Sequence, residues 1–209
     1  MCDFYDNATI CVCLGLVLYL HGLCFMNLYE GMLNRVSQPI LEGDGPDEAV
    51  LTACVQAAVC APDHRCLRPW RFIVVRSSAR QRLAAVYCAS QKSLHPEYSQ
   101  AELDRLAQQP LRAPVLVFSI AKIQPDVPVP EREQWLSSGA ATQNLMLALH
   151  AHGWSSIWRT GALAEDPAVR ATLGLDLHEH VAGIIYTGAC QKPRSADRPD
   201  AAAFIEEWL

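Results

Sequence analysis

The longest helical pattern in the chain runs from about Gln134 to His152 and closes at Gly153, and whatever else the chain forms must pack around it. Its small-residue stretch Ser137-Ser138-Gly139-Ala140-Ala141 permits close backbone approach by another helix, which predicts a central helix rather than a peripheral one. Elsewhere the turn residues mark out the elements. Asn27 to Asn34 reads as a short helix, and Gly45-Pro46-Asp47-Glu48 starts another that keeps helical spacing through Val50, Cys54, Ala57 and Ala58 until Ala61-Pro62. Ser77 or Ser78 caps a third carrying Leu83, Val86 and Tyr87 on one face, and Pro96 to Gln108 gives a more polar fourth. Asp166-Pro167 caps a helix ending at Gly174. Strands are predicted at Arg71–Val75, Val115–Ala121, Ser155–Trp158 and Val181–Tyr186. Helices and strands interleave without the alternation of a doubly wound sheet, so the expected class is α+β, a sandwich with a mixed or antiparallel sheet.

A length of 209 residues predicts one domain. With 51% hydrophobic and 19% charged residues the chain has material for a core and too few charges for disorder. Lys and Arg number 17 against 22 for Asp and Glu, which argues against nucleic acid as a partner, because neutralising phosphates needs clustered positive charge. Nine cysteines, an odd and irregularly spaced set, read as reduced thiols in a cytoplasmic setting rather than a disulfide framework.

Residues 1–25 do not match the rest. Ile10 to Phe25 is sixteen residues without a charge, preceded by Asp3 and Asp6 and no basic residue. Both the membrane-span and the signal-peptide templates fit poorly, so the working domain is expected over 26–209 with Met26 as its first residue. Membrane association follows only if the first 25 residues belong to the working protein. The tail ends apolar, on Phe204-Ile205 and Trp208-Leu209, which suggests docking on a second subunit.

The usual dinucleotide, NTP, zincin and hydrolase signatures are absent: there is no GxGxxG after a strand, no GxxxxGK[ST], no HExxH and no GxSxG. Cys60, His64 and Cys66 lie close together, but Zn wants four ligands at established spacing and no second pair follows, so no metal site is expected.

Three segments point elsewhere: Asn34-Arg35-Val36-Ser37, Ala61 to Val75 with Asp63-His64-Arg65-Cys66-Leu67-Arg68-Pro69-Trp70 inside it, and Ile157-Trp158-Arg159-Thr160-Gly161. Together with Leu111 to Lys122 and Val129 to Gly139 they resemble the nitroreductase family of FMN-dependent NAD(P)H oxidoreductases, in particular its small YdjA-type branch, and the likeness spans residues 26–190. It implies a homodimeric three-layer α+β sandwich with FMN at the subunit interface, NADH or NADPH as donor, and a nitroaromatic, quinone or similar small electron-poor acceptor. It further implies that Arg35, Val36 and Ser37 with Trp158, Arg159 and Thr160 hold the flavin, that Pro69 and Trp70 lie beside its ring, and that Cys60 and His64 face the flavin held mainly by the other subunit. Nicotinamide contact falls on Ala148, Leu149, His150, Ala151, His152 and Gly153, where core packing is the competing explanation of Leu149.

These residue types suit the task, since a terminal phosphate needs cations in a fork and hydroxyl donors, which Arg35, Ser37 and Arg159 supply. No catalytic triad is expected, because the cofactor carries the chemistry. Three departures stand out: Val36, Ile40 and Cys60 occupy places where the family or its close branch has a basic residue. Arg65 and Arg68 are the candidates to compensate. The rival readings are an oxygen-using or dehalogenating flavoenzyme of the same fold, and a flavin-binding or membrane-associated protein without redox turnover.

Overall fold

The computed structural model describes residues 27–195 and 197–208 and, upstream, the backbone of β1 (Val12–Cys13) and β2 (Leu16–Val17), which pair antiparallel. The extension expected over 1–25 otherwise lies outside the described residues, as does Met26.

Helix α1 (Leu28–Asn34) starts where the Asn27 side chain accepts a hydrogen bond from the Tyr29 N–H. Asp47 does the same for Val50 at the head of α2 (Glu48–Ala58). That helix ends three residues short of Ala61 because its last turn tightens, with Cys60 and Ala61 N–H groups donating to Ala57 and Ala58 carbonyls. Strand β3 (Trp70–Arg76) leads into α3 (Ser78–Leu94), where Ser77 stands at the cap but makes no capping bond: its φ of 53° turns it away from cap geometry. Helix α4 (Gln100–Ala107) begins four residues later than Pro96, because a capping box between Ser99 and Glu102 sets its start.

Strand β4 (Val115–Lys122) is followed by α5 (Glu131–Ala151), which begins three residues before Gln134. Pro130 occupies its cap, and Glu131 and Glu133 put negative charge in its first turn. After β5 (Ser155–Arg159) comes a short helix that the sequence pattern did not reveal, α6 (Ala162–Glu165), entered through Gly161 at φ +105°, a conformation that favours glycine. Buried Asp166 caps α7 (Pro167–Thr172) by accepting from the Ala168 and Val169 N–H groups. Strand β6 (Glu179–Gly188) completes the sheet.

The sheet order is β3-β4-β6-β5 with every pair antiparallel, the antiparallel of the two expected alternatives. Strand β4 is buried on both faces. Its Leu116, Phe118 and Ile120 pack with Leu83 and Tyr87 of α3, Leu163 of α6 and Val169 of α7; Val115 and Val117 pack with Leu51 and Cys54 of α2 and Leu145, Met146 and Leu149 of α5. Period-two alternation thus builds two cores, and the molecule is a three-layer α+β sandwich.

At one point the ladder is interrupted. Ser119 pairs with Gly183 and Ile120 with Val181, leaving Ala182 as an extra residue on β6. The Ala182 carbonyl accepts instead from the Trp158 indole N–H at 3.2 Å. That indole lies flat on Gly183, where a β-carbon would overlap the ring nitrogen. Gly183→Ala is therefore expected to cost about 1–3 kcal/mol, roughly 2–4 °C of Tm per kcal/mol for a chain of this size. Thermal unfolding checks this, and Trp158→Ala in the same chain should recover part of the loss, since the two positions share one contact.

Candidate functional site

Between the end of α1 and the start of β5 lies a cavity of about 80 Å³ lined by Asn34, Arg35, Val36, Gln38, His150, Trp154, Ser155, Ser156, Pro193 and Arg194. Among the described residues no carboxylate lines it. The backbone that carries it is clamped by Gln38, a buried side chain. The Gln38 amide oxygen accepts from the Arg194 N–H at 3.0 Å, its Nε2 donates to the Arg194 carbonyl at 3.1 Å, and its backbone N–H donates to the Ser156 carbonyl. Arg198 closes the cluster by donating to the backbone carbonyls of Arg35 and Leu33.

Arg35, Arg194 and His150 line this cavity and Arg198 lies behind Arg35, and among the described residues no acidic side chain joins them in the lining. The buried Arg35 Nη1 and the buried His150 Nε2 have no hydrogen-bond partner. Burial, and after it the Arg198 guanidinium, pushes the Arg35 pKa down; burial, and after it Arg35, pushes His150 down. An arginine does not give up its proton in a protein, so the downward push on Arg35 reflects the cost of burying its charge first and the neighbouring Arg198 charge second. His150 is the group that yields: the fold favours its neutral form, and stability falls as acid protonates the unfolded chain first. A cavity with orphaned donors and surplus positive charge is chemically suited to a phosphate dianion.

A second cluster forms at the other end of α5. His64 sits in a 3₁₀ turn (His64–Cys66), and its Nδ1 lies 2.6 Å from Glu133 Oε2 in the first turn of α5. The turn continues through Arg65, Cys66 and Arg68, all at positive φ. Four bonds hold it: Asp63 accepts from the Arg68 N–H, Gln124 donates to the Leu67 carbonyl, and the Pro69 carbonyl accepts from Ser138 Oγ and the Lys122 N–H. A cavity of about 360 Å³ opens beside it, lined by Pro62, Asp63, His64, Glu133, Leu136, Ser137 and Ala140.

The sequence-derived site residues therefore divide into groups. Arg35, Val36 and His150 share the cation cavity; Ser37, exposed, follows Val36 next to it. Pro69 is buried beneath the His64 turn and Trp70, half-buried, opens β3. Cys60 is exposed, its thiol donating to the Gln56 carbonyl. Trp158 lies on Gly183, Thr160 is exposed, and Arg159 lies 5.8 Å above the Tyr186 ring, with its Nε buried and unpartnered; Arg159 does not line the Arg35 cavity. Leu149 is a core residue, Ala148 is half-buried, and Ala151, His152 and Gly153 are exposed at the helix end. Arg65 and Arg68 are exposed, whereas the arginines that join Arg35 are Arg194 and Arg198. Sequence reasoning missed both of these and Gln38; the basic residues in the Pro-rich stretch after β6 were the available signal.

The chain matches the nitroreductase family over residues 33–189. It is 32% identical over 182 residues to YdjA of Escherichia coli strain K12, named as an NAD(P)H nitroreductase, covering 86% of this chain and 98% of that one. Among solved structures, a nitroreductase-like family protein from Bacillus cereus superposes with a TM-score of 0.74 at 19% identity, covering 88% of this chain and 97% of that one. A nitroreductase from Desulfovibrio desulfuricans, solved in complex with FMN, gives 0.66 at 19% identity, covering 87% and 96%.

Two outcomes test the cation cavity. Gln38→Leu removes both clamp bonds to Arg194 and should cost about 1–3 kcal/mol in stability while weakening phosphate binding, read by denaturant melts and calorimetry. Inorganic phosphate should raise the pH at which His150 ionises, followed by its ring-proton shifts, because an anion offsets the Arg35 charge that depresses it.

Proposed function

The chain belongs to the nitroreductase family, and from that membership we propose that it is an FMN-dependent NAD(P)H oxidoreductase, working as a homodimer on small electron-poor acceptors such as nitroaromatics or quinones. The observation that carries the reading is the cation cavity: Arg35, with a buried and unpartnered Nη1, and Arg194 line it, Arg198 lies behind Arg35, and among the described residues no carboxylate lines it. Held there, FMN would supply two-electron hydride chemistry linking a nicotinamide donor to the acceptor.

The protein's part is binding and exclusion of water. Arg35 and Arg194 grip the phosphate, Arg198 adds charge from behind Arg35, and Ser37 and Ser156 offer hydroxyls. Arg194 and Arg198 make good the cations missing at Val36, Ile40 and Cys60. Trp158, packed on Gly183, and Arg159 and Thr160 frame the ring side, with Pro69 and Trp70, which share the His64 end, contributed by the second copy. One cleft serving donor and acceptor in turn gives ping-pong kinetics.

Helix geometry favours a second copy. Glu133 and His150 sit on one straight element, 17 residues apart, which at 1.5 Å per residue is about 25 Å. One flavin gripped at the His150 end would fall short of His64 of the same chain, which supports the expectation from the family resemblance that Cys60 and His64 face the flavin of a second copy. Leu28, Tyr29, Met32 and Leu33 of α1 and Leu136 of α5 are exposed apolar side chains that a partner would cover. Cysteines 54, 60, 66, 88 and 190 are free thiols, in keeping with a cytoplasmic setting. Among the described residues no helix is long and apolar enough to cross a membrane.

The test is a visible spectrum of the full chain supplied with FMN, titrated anaerobically with NADH and with NADPH. Bound flavin absorbance that bleaches with a pyridine nucleotide is the expected result. A protein that retains no FMN, or a bound flavin that neither nucleotide bleaches, overturns the assignment.

A further inference from the structure

The His64–Glu133 pair has no structural task that its setting explains. Both side chains are well exposed, 53% and 36%, and an exposed pair of this kind adds little to stability. Yet the turn that presents His64 contains three non-glycine residues at positive φ, Arg65, Cys66 and Arg68, and is held in that form by Asp63, Gln124 and Ser138. Backbone strain maintained by surrounding bonds concentrates where a side chain must be aimed. The 2.6 Å contact assigns the proton on Nδ1 to the Glu133 carboxylate, which leaves Nε2 as the working nitrogen of the ring. Asp63, His64 and Glu133 are the ionisable groups lining the adjoining 360 Å³ cavity. Of these, Asp63 is engaged by the Arg68 N–H and Glu133 by His64. Arg65 and Arg68 follow in the same turn and are exposed, and α5 is the helix packed against it.

We propose that His64 is a proton donor to the acceptor, with Glu133 as the positioning residue that fixes its tautomer; a quinone, one of the acceptor classes proposed above, illustrates the step. The proposal rests on the flavin assignment above. A quinone that receives a hydride at one carbonyl oxygen becomes a hydroquinone monoanion. The His64 imidazolium gives its Nε2 proton to the other oxygen, forming the hydroquinone and neutral imidazole, and solvent reprotonates the ring. The sum is NAD(P)H, quinone and one proton giving NAD(P)⁺ and hydroquinone. Because the cavity belongs to the His64 end of α5, the proton comes from the subunit opposite the one that grips the phosphate.

The experiment compares menadione, which takes up a proton, with ferricyanide, which takes up electrons alone, using FMN-saturated full chain. His64→Ala should lower the ratio of menadione to ferricyanide rates by about 10²-fold, the usual scale of general acid catalysis. Added imidazole should restore part of the ratio, and Glu133→Gln should lower it less. In the flavin-free protein, nitrogen-15 spectra of the neutral ring, the form left after donation, should show His64 as the Nδ1–H tautomer, a preference lost in Glu133→Gln. An unchanged ratio in His64→Ala, or no imidazole rescue of a lowered one, overturns the proposal while leaving the flavin assignment intact. Wild-type protein that turns over neither acceptor removes the flavin assignment and the proposal together, whereas the tautomer spectra test the Glu133 role without flavin.

Discussion

Three buried polar side chains on one face of α5, Gln134, Ser138 and Thr142, each tie the helix to a different part of the chain. Gln134 accepts from the Gln124 N–H and donates to the Gln124 and Val129 carbonyls, Ser138 donates to the Pro69 carbonyl, and Thr142 shares a hydrogen bond with Ser119 in the middle of β4. Buried polar groups are costly unless paired, so a slip of the helix by one turn would strand all three sets. That register is what the site depends on. It sets Glu133 against His64 at one end of the helix and His150 beside Arg35 at the other.

Much of this was legible in the residues. The spacing of four between Gln134, Ser138 and Thr142 puts them on one helical stripe, and the small residues around Ser138 announced a helix approached closely. The helix that packs on α5 is α2, whereas at Ser138 the contact is with the Pro69 backbone rather than with a helix, and at Gly139 a β-carbon would find nothing within 4 Å. Strand positions were plain because β4 and β6 are apolar over long runs. The start of α4 was displaced because a capping box between Ser99 and Glu102 decided it, while α5 starts directly after Pro130, which makes no capping bond.

What the residues did not reveal was convergence. Gln38 looks like any polar residue after Ser37, and nothing local says that its amide will clamp a segment 156 residues away. Arg194 and Arg198 lie in an irregular stretch without periodicity, so their partnership with Arg35 belongs to tertiary structure. The same holds for Trp158, whose place on Gly183 depends on a bulge that frees the Ala182 carbonyl.

The account turns on the cation cavity being a phosphate site. Calorimetric titration of the full chain with FMN and with riboflavin isolates it, because the two ligands differ only in that group. If Arg35 and Arg194 hold the phosphate, two charged hydrogen bonds predict that FMN binds about 10²-fold more tightly or better, and Arg35→Met should erase most of the difference. Equal affinity of the wild-type chain for the two flavins would contradict the account.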